Sequence, residues 1–203
     1  FSALEVPSEI YEYNANADTE QLLTERLEFV DRKQSSSSVN CATAAMGYAG
    51  RQLGFEFSKS ELSGLVSADD NMTSLYELKQ FAEGQGLYCR AVKTDIKSLQ
   101  GLEDCEIILF LPGKKHFIVA EQIGDEYIWN IDLASRKFFY KSDRNYFPMA
   151  WPEGIALIVC DGSVTGQFED IPESLQKSIR GGDGYACTNL LQEEDTVYCD
   201  MLF

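Results

Sequence analysis

The spacing of hydrophobic and polar positions changes near the middle of the chain. Before about residue 86, apolar residues recur at helical spacing, and helix starts carry capping pairs such as Ser58 with Glu61 and Ser74 with Glu77. Beyond it, alternating or short continuous apolar runs predict strands at residues 87–92, 107–111, 116–120, 127–132, 137–140 and 155–159. Helices followed by antiparallel strands predict an α+β fold of two packed lobes.

The same pattern divides the chain into three parts. Residues 1–33 predict an irregular arm and a helix, and residues 163–203 predict a C-terminal extension. Residues 34–162 lie between them and are long enough to form a domain with its own core. Within the extension, the pattern predicts a short helix at residues 172–179 that the pair Gly181-Gly182 closes.

A buried central helix is predicted after Asn40. Asn40 is a favoured N-cap, and the ten residues that follow are almost all small or apolar, which implies close packing on every side. Cys41 therefore falls in the first turn of a buried helix. Unpaired backbone N–H groups and the helix dipole favour an anion there, so a thiolate at Cys41 can act as a nucleophile.

The chain has one histidine, His116, which follows a turn and opens a predicted strand. A turn at residues 124–126 brings the next strand back, so Asp132 is expected near His116 across an antiparallel pair. An aspartate there accepts a hydrogen bond from one ring nitrogen and fixes the tautomer, while the other nitrogen faces the thiol of Cys41.

An oxyanion formed at Cys41 needs hydrogen-bond donors. The backbone N–H of Cys41 is one candidate, and the Gln34 amide, seven residues earlier across a serine loop, is the second. The order Gln34, Cys41, His116, Asp132 is the one that a papain-like thiol site requires. The candidate site residues are therefore these four side chains.

Composition excludes several other classes of function. Seventeen basic residues face thirty-three acidic ones, a net charge of −16, which repels a phosphate backbone and an anionic membrane. We expect no nucleic-acid partner. No apolar run approaches the roughly 18 residues of a spanning helix, so no membrane-spanning segment is predicted. With one histidine and no C-x-x-C pair among six cysteines, we expect no zinc site and no cofactor.

The remaining cysteines fall into two groups. Cys89, Cys105 and Cys160 lie in strand-like apolar runs and are interpreted as buried free thiols. Cys187 and Cys199 flank a polar segment and could form a disulfide. That pair, the acidity and the absence of an initiating methionine favour an exported protein, periplasmic or extracellular, over a cytoplasmic one.

Residues 34–160 resemble the double-glycine peptidase family, bacteriocin-processing cysteine peptidases that are often fused to ABC exporters. The resemblance lies in segments 40–46, 72–78, 86–91, 116–119 and 131–132. It implies a papain-like fold, a Cys41–His116–Asp132 triad with Gln34 as oxyanion donor, and cleavage of a peptide or protein substrate after a Gly-Gly pair. The chain contains no transporter portion, so we interpret it as a stand-alone member and do not carry over the export role.

Three positions depart from the family pattern. Ala42 stands where the family usually has glycine, and Leu133 stands where a proline is common after the acidic residue. Gln34 precedes Cys41 by seven residues where six is usual, and the extra loop residue affects the placement of its amide.

Alternatives to a peptidase stay open at this point. Amidases, deamidases and transpeptidases apply the same chemistry to another acceptor, and a non-catalytic binding module could retain the fold. Residues 174–182 loosely resemble a double-glycine leader, which would be an internal substrate or an occluding tail, but we favour the helix closed by glycine. The sequence does not indicate an oligomeric state.

Overall fold

The structure is a computed structural model that describes residues 40–132, 139–164 and 166–182. The predicted N-terminal helix, Gln34 and the Cys187–Cys199 pair lie outside these residues. The described helices are α1 Cys41–Gln52, α2 Lys59–Ser63, α3 Leu75–Gly84, α4 Ile96–Leu99, α5 Phe147–Ala150 and α6 Glu173–Ser178. The strands are β1 Met72–Ser74, β2 Tyr88–Lys93, β3 Cys105–Leu111, β4 His116–Ile123, β5 Tyr127–Ile131, β6 Phe139–Asp143, β7 Ile155–Cys160, β8 Glu169–Asp170 and β9 Arg180–Gly182.

Local capping chemistry fixes where the helices begin. Ser58 and Ser74 each form a complete capping box, with Glu61 and Glu77 respectively, as the sequence predicts. Helix α1 ends at Gln52, and Gly54 beyond it takes the left-handed φ of +83° that terminates helices at low steric cost.

The described strands form two antiparallel sheets. The larger has seven strands in the order β6-β5-β4-β3-β7-β2-β8, and the smaller pairs β1 with β9. Helices predominate before β2 and strands after it, so the predicted α+β class is confirmed.

The large sheet separates two apolar clusters. Successive residues of β4 alternate between them: Phe117 and Val119 belong to the cluster that contains α1 and α3, and Ile118 belongs to the one that contains α4 and α5. Helix α1 packs on β4 and β3, and its buried residues include Met46 and Tyr48. This packing brings the start of α1 to the sheet near the beginning of β4.

Two of the predicted free thiols are instead a disulfide. Cys105 and Cys160 lie opposite each other in the β3–β7 register and form a disulfide bond. The interpretation of these two residues as free thiols is therefore wrong, because strand pairing joins positions that are 55 residues apart in sequence. Cys89 is a buried free thiol, as predicted.

Loss of this disulfide should destabilise the fold. In the double variant Cys105→Ala/Cys160→Ala, we expect the free energy of unfolding to fall by about 2–4 kcal/mol, because the closed loop no longer restricts the unfolded chain. Urea unfolding monitored by circular dichroism measures this loss. The wild type in dithiothreitol should match the double variant, and a wild type insensitive to the reductant would contradict the prediction.

The C-terminal part of the described chain differs from expectation in one respect. A short helix is present at α6, but it ends at Ser178, and Gly181 and Gly182 belong to strand β9. The prediction that the glycine pair closes a helix is wrong, because the edge of β1 is available to pair with these residues. Residues beyond 162 thus add β8, α6 and β9 to the fold.

Candidate active site

Cys41 is the first residue of α1, and a set of hydrogen bonds fixes the start of this helix. The Asn40 Oδ1 accepts from the Thr43 backbone N–H at 3.0 Å. The Asn40 Nδ2 donates to the Asn71 carbonyl at 3.1 Å and to the Thr73 hydroxyl at 3.0 Å. Because Asn40 and Cys41 are each only 2% exposed, the candidate nucleophile is held at a buried helix N-terminus.

A tight turn places His116 at the beginning of β4. Residues Pro112–Lys114 form one 3₁₀ turn, and Lys115 follows in the left-handed region with φ +47°, which is uncommon for a residue with a side chain. The His116 side chain is 15% exposed, so the ring lies at the edge of the core with limited access to solvent.

Asp132 lies beside His116, as the sequence predicts. A bulge between Ala120 and Gln122 shifts the β4–β5 pairing, so that Val119 faces Ile131. Continuing that register puts Asp132 opposite residue 118, diagonal to His116. The carboxylate still reaches the ring, with 2.8 Å between the Asp132 Oδ1 and the His116 Nε2.

The surroundings of His116 favour its charged form. Burial lowers the pKa of His116, but hydrogen bonds to Asp132 and Cys41 and the negative charge of both groups outweigh burial and raise it to about 10. The ring is therefore an imidazolium at neutral pH. With Nε2 bonded to Asp132, Nδ1 is the nitrogen left to face Cys41.

Cys89 provides the contrast. It is the other free cysteine among the described residues, and burial, with a smaller contribution from the charge of Glu83, raises its pKa to about 12. This thiol is uncharged and has no histidine beside it, so only Cys41 has the environment of a reactive cysteine in residues 40–132, 139–164 and 166–182.

The structure thus brings together Cys41, His116 and Asp132 and does not describe Gln34. Within the described part of the chain, no cluster of three or more His, Cys, Asp or Glu residues could hold a metal ion, and no helix is long and apolar enough to cross a membrane.

Sequence reasoning missed a group of residues around this centre. Asn71 and Thr73 anchor the Asn40 side chain, and the Gly182 N–H donates to the Lys115 carbonyl at 3.4 Å. The glycine pair was visible as a leader-like motif, whereas no local pattern marks Asn71 or Thr73 as neighbours of Cys41.

Comparisons with known proteins identify the family and the fold. The model of a family described as the Peptidase C39 family matches residues 31–163 of the chain. A search of curated proteins gives no significant match.

Solved structures with a similar fold include two peptidase domains of transporters. One is the peptidase domain of Streptococcus ComA, a bifunctional ABC transporter involved in a quorum-sensing pathway. It is 19% identical with a TM-score of 0.51, over 60% of this chain and 91% of that one. The other is a double-glycine-motif protease from an AMS/PCAT transporter in complex with the leader peptide. It is 17% identical with a TM-score of 0.51, over 62% of this chain and 86% of that one. The fold is therefore the papain-like fold of these domains.

Proposed function

Because the chain belongs to the Peptidase C39 family and is a cysteine peptidase, we propose that Cys41, His116 and Asp132 are its catalytic triad. The observation that carries this proposal is the position of His116. Its Nε2 lies 2.8 Å from the Asp132 carboxylate, and Cys41, at a buried helix start, is close enough to raise the His116 pKa. Nucleophile, base and orienting group thus form the chain of contacts that activates a thiol.

The reaction proceeds in two stages at this centre. The Cys41 thiolate attacks the carbonyl carbon of the scissile peptide, and the His116 imidazolium donates its proton to the departing amine. Water then adds to the thioester, giving one proton to His116 and the other to solvent, and the new carboxylate leaves while Cys41 returns to the thiolate. Asp132 holds the ring orientation through both stages and stabilises its positive charge.

Hydrogen-bond donors close to Cys41 must stabilise the negative charge that forms on the attacked carbonyl oxygen. The backbone N–H of Cys41 is placed at the helix start, where N–H groups lack intrahelical partners. We assign the second donor to Gln34, whose amide precedes the helix in sequence by seven residues. A Gln34→Ala variant with lowered kcat and little changed KM is the signature of an oxyanion donor.

A leader-type peptide is the proposed substrate. The transporter protease with the similar fold is named for the double-glycine motif and was solved with its leader peptide. We assign the same class of substrate to this chain, with hydrolysis directly after a Gly-Gly pair. The partner is therefore a peptide or protein chain.

Alkylation and peptide hydrolysis together test the proposed function. We expect iodoacetamide to label Cys41 faster than Cys89, because only Cys41 has a cationic histidine beside it. A synthetic leader-type peptide should be cut after its glycine pair. Labelling is followed by peptide mass mapping, and the fully unfolded protein serves as the control in which the two cysteines react alike. Equal labelling in the folded protein, with no peptide cut, would rule out the proposed function.

A further inference from the structure

The C-terminal strand of the described chain lies at the candidate active site. Strand β9 pairs antiparallel with β1, with Gly182 opposite Met72, and it also contacts α1 and β4. The Gly182 N–H donates to the carbonyl of Lys115, the residue before His116. Gly182 also lies against Asn71, whose carbonyl is bonded to the N-cap of α1. The end of β9 is thus bracketed by the neighbours of Cys41 and His116.

Gly181 and Gly182 lie in a narrow space, the glycine passage, that has room only for glycine. A Cβ on Gly181 would come within 2.5 Å of the Phe117 ring and 2.9 Å of the Lys115 carbonyl oxygen. A Cβ on Gly182 would meet the Asn71 carbonyl oxygen and would lie 2.9 Å from the Met72 Cα. Three of these four obstacles are backbone atoms, which cannot rotate away, so the passage selects a Gly-Gly pair by shape.

Residues upstream of the glycines are anchored as a bound peptide would be. Ile171 and Ile179 are buried in the same apolar cluster as Cys41. Backbone hydrogen bonds tie both to the domain, from the Ile171 N–H to the Ala91 carbonyl at 2.9 Å and from the Leu75 N–H to the Ile179 carbonyl at 2.9 Å.

Helix α6, which lies between Ile171 and Ile179 in sequence, packs against α3. The Lys177 ammonium lies 4.4 Å from the centre of the Tyr76 ring, and Arg180 pairs with Asp70 at 3.1 Å. Segment 169–182 therefore runs along β2, α3 and β1, and its end contacts the Cys41 helix.

We propose that segment 169–182 is an internal substrate segment, and that Cys41 cleaves the chain's own peptide bond between Gly182 and Asp183. This proposal rests on the proposed function of Cys41 and His116. The direction of the chain supports it, since Arg180 lies opposite Ser74 and Gly182 lies opposite Met72, next to the Asn71–Asn40 contact. The carboxyl end of the segment is the end nearest the nucleophile, which is the polarity that acylation requires.

The bonds made and broken are those of ordinary peptide hydrolysis. The Cys41 sulfur forms a thioester with the Gly182 carbonyl carbon as the bond to the Asp183 nitrogen breaks, and His116 protonates that nitrogen. Water then adds to the thioester, giving one proton to His116 and the other to solvent, and the Gly182 carboxylate leaves as the Cys41 thiolate is regenerated. The products are residues 1–182 and the acidic peptide 183–203.

Intact-mass measurement of the full chain tests the proposal. We expect the wild type to lose residues 183–203, either as purified or on incubation, at a first-order rate that does not depend on protein concentration. The Cys41→Ala variant should remain intact under the same conditions. Loss of the same residues from Cys41→Ala would assign the cut to a contaminating protease and would overturn the proposal.

Glycine variants test the role of the passage. Gly182→Ala should slow cleavage about 100-fold, because the added Cβ meets backbone and displaces the carbonyl from its position for attack. Gly84→Ala is the matched control, since its Cβ would have nothing within 4 Å, and it should cleave at the wild-type rate. Equal rates for the two variants would contradict selection by shape.

Failure of this proposal is distinguishable from failure of the proposed function. A wild type that stays intact, yet hydrolyses a synthetic leader-type peptide and is labelled selectively at Cys41, would overturn self-cleavage alone. A wild type that stays intact, cuts no peptide and labels Cys41 no faster than Cys89 would overturn both.

Discussion

Cys41→Ala is expected to lower kcat/KM for hydrolysis of a leader-type peptide by at least about 10⁴-fold. The substitution removes the thiol of the proposed nucleophile, so no thioester can form. Alanine fills most of the space of a buried cysteine in the first turn of α1, and we expect the fold to be retained. Rates of peptide cleavage by liquid chromatography, with circular dichroism to check folding, measure the effect.

Cys89→Ala is the matched control for this loss. Cys89 is also buried and free, but its raised pKa of about 12 leaves it as an uncharged thiol. We expect the Cys89 variant to keep kcat/KM within about a factor of two, because it removes a small apolar side chain far from the chemistry. A large loss in both variants, or in neither, would contradict the assignment of Cys41 as nucleophile.

Local rules predicted the helices of this fold better than its sheet pairing. Capping boxes at Ser58 and Ser74 and the N-cap at Asn40 are properties of a few neighbouring residues, and the structure has all of them. The Cys105–Cys160 disulfide depends on which strands become neighbours, and periodicity says nothing about that. The same limit applies to Gly181 and Gly182, because only their tertiary pairing with β1 makes them part of a strand.

The candidate site shows the same difference between residues with local signals and residues placed by strand pairing. Cys41 is marked by a helix start and His116 by being the one histidine after a turn, so each carries its own local signal. Asp132 has a weaker local signal, because its place near His116 depends on the β4–β5 register, and the contact is made along a diagonal. The glycine pair at the site required knowledge of tertiary pairing, since only the β1–β9 register brings it next to Asn71.

The pH dependence of an Asp132→Asn variant should separate orientation from charge. Asparagine keeps the shape of the side chain but removes the negative charge that raises the pKa of His116. We expect kcat/KM at neutral pH to fall by about 10²- to 10⁴-fold. The alkaline limb of the wild-type profile should lie near the His116 pKa of about 10, and in the variant it should move to lower pH, because the ring loses the carboxylate that raises its pKa.

The pH dependence of the free energy of unfolding gives an independent measure of the charge on His116. The pKa of His116 is raised in the folded protein from 6.5 to about 10, so its stabilising effect is complete below pH 6.5 and is lost as the pH rises to about 10. Asp132→Asn reduces that effect, so its free energy of unfolding should fall furthest below the wild type near pH 6.5 and approach it near pH 10. Urea unfolding of both proteins across this range measures the difference. A difference that stays constant with pH, together with an unmoved alkaline limb, would mean that Asp132 does not hold the charge on His116, and the carboxylate would then have no place in the triad.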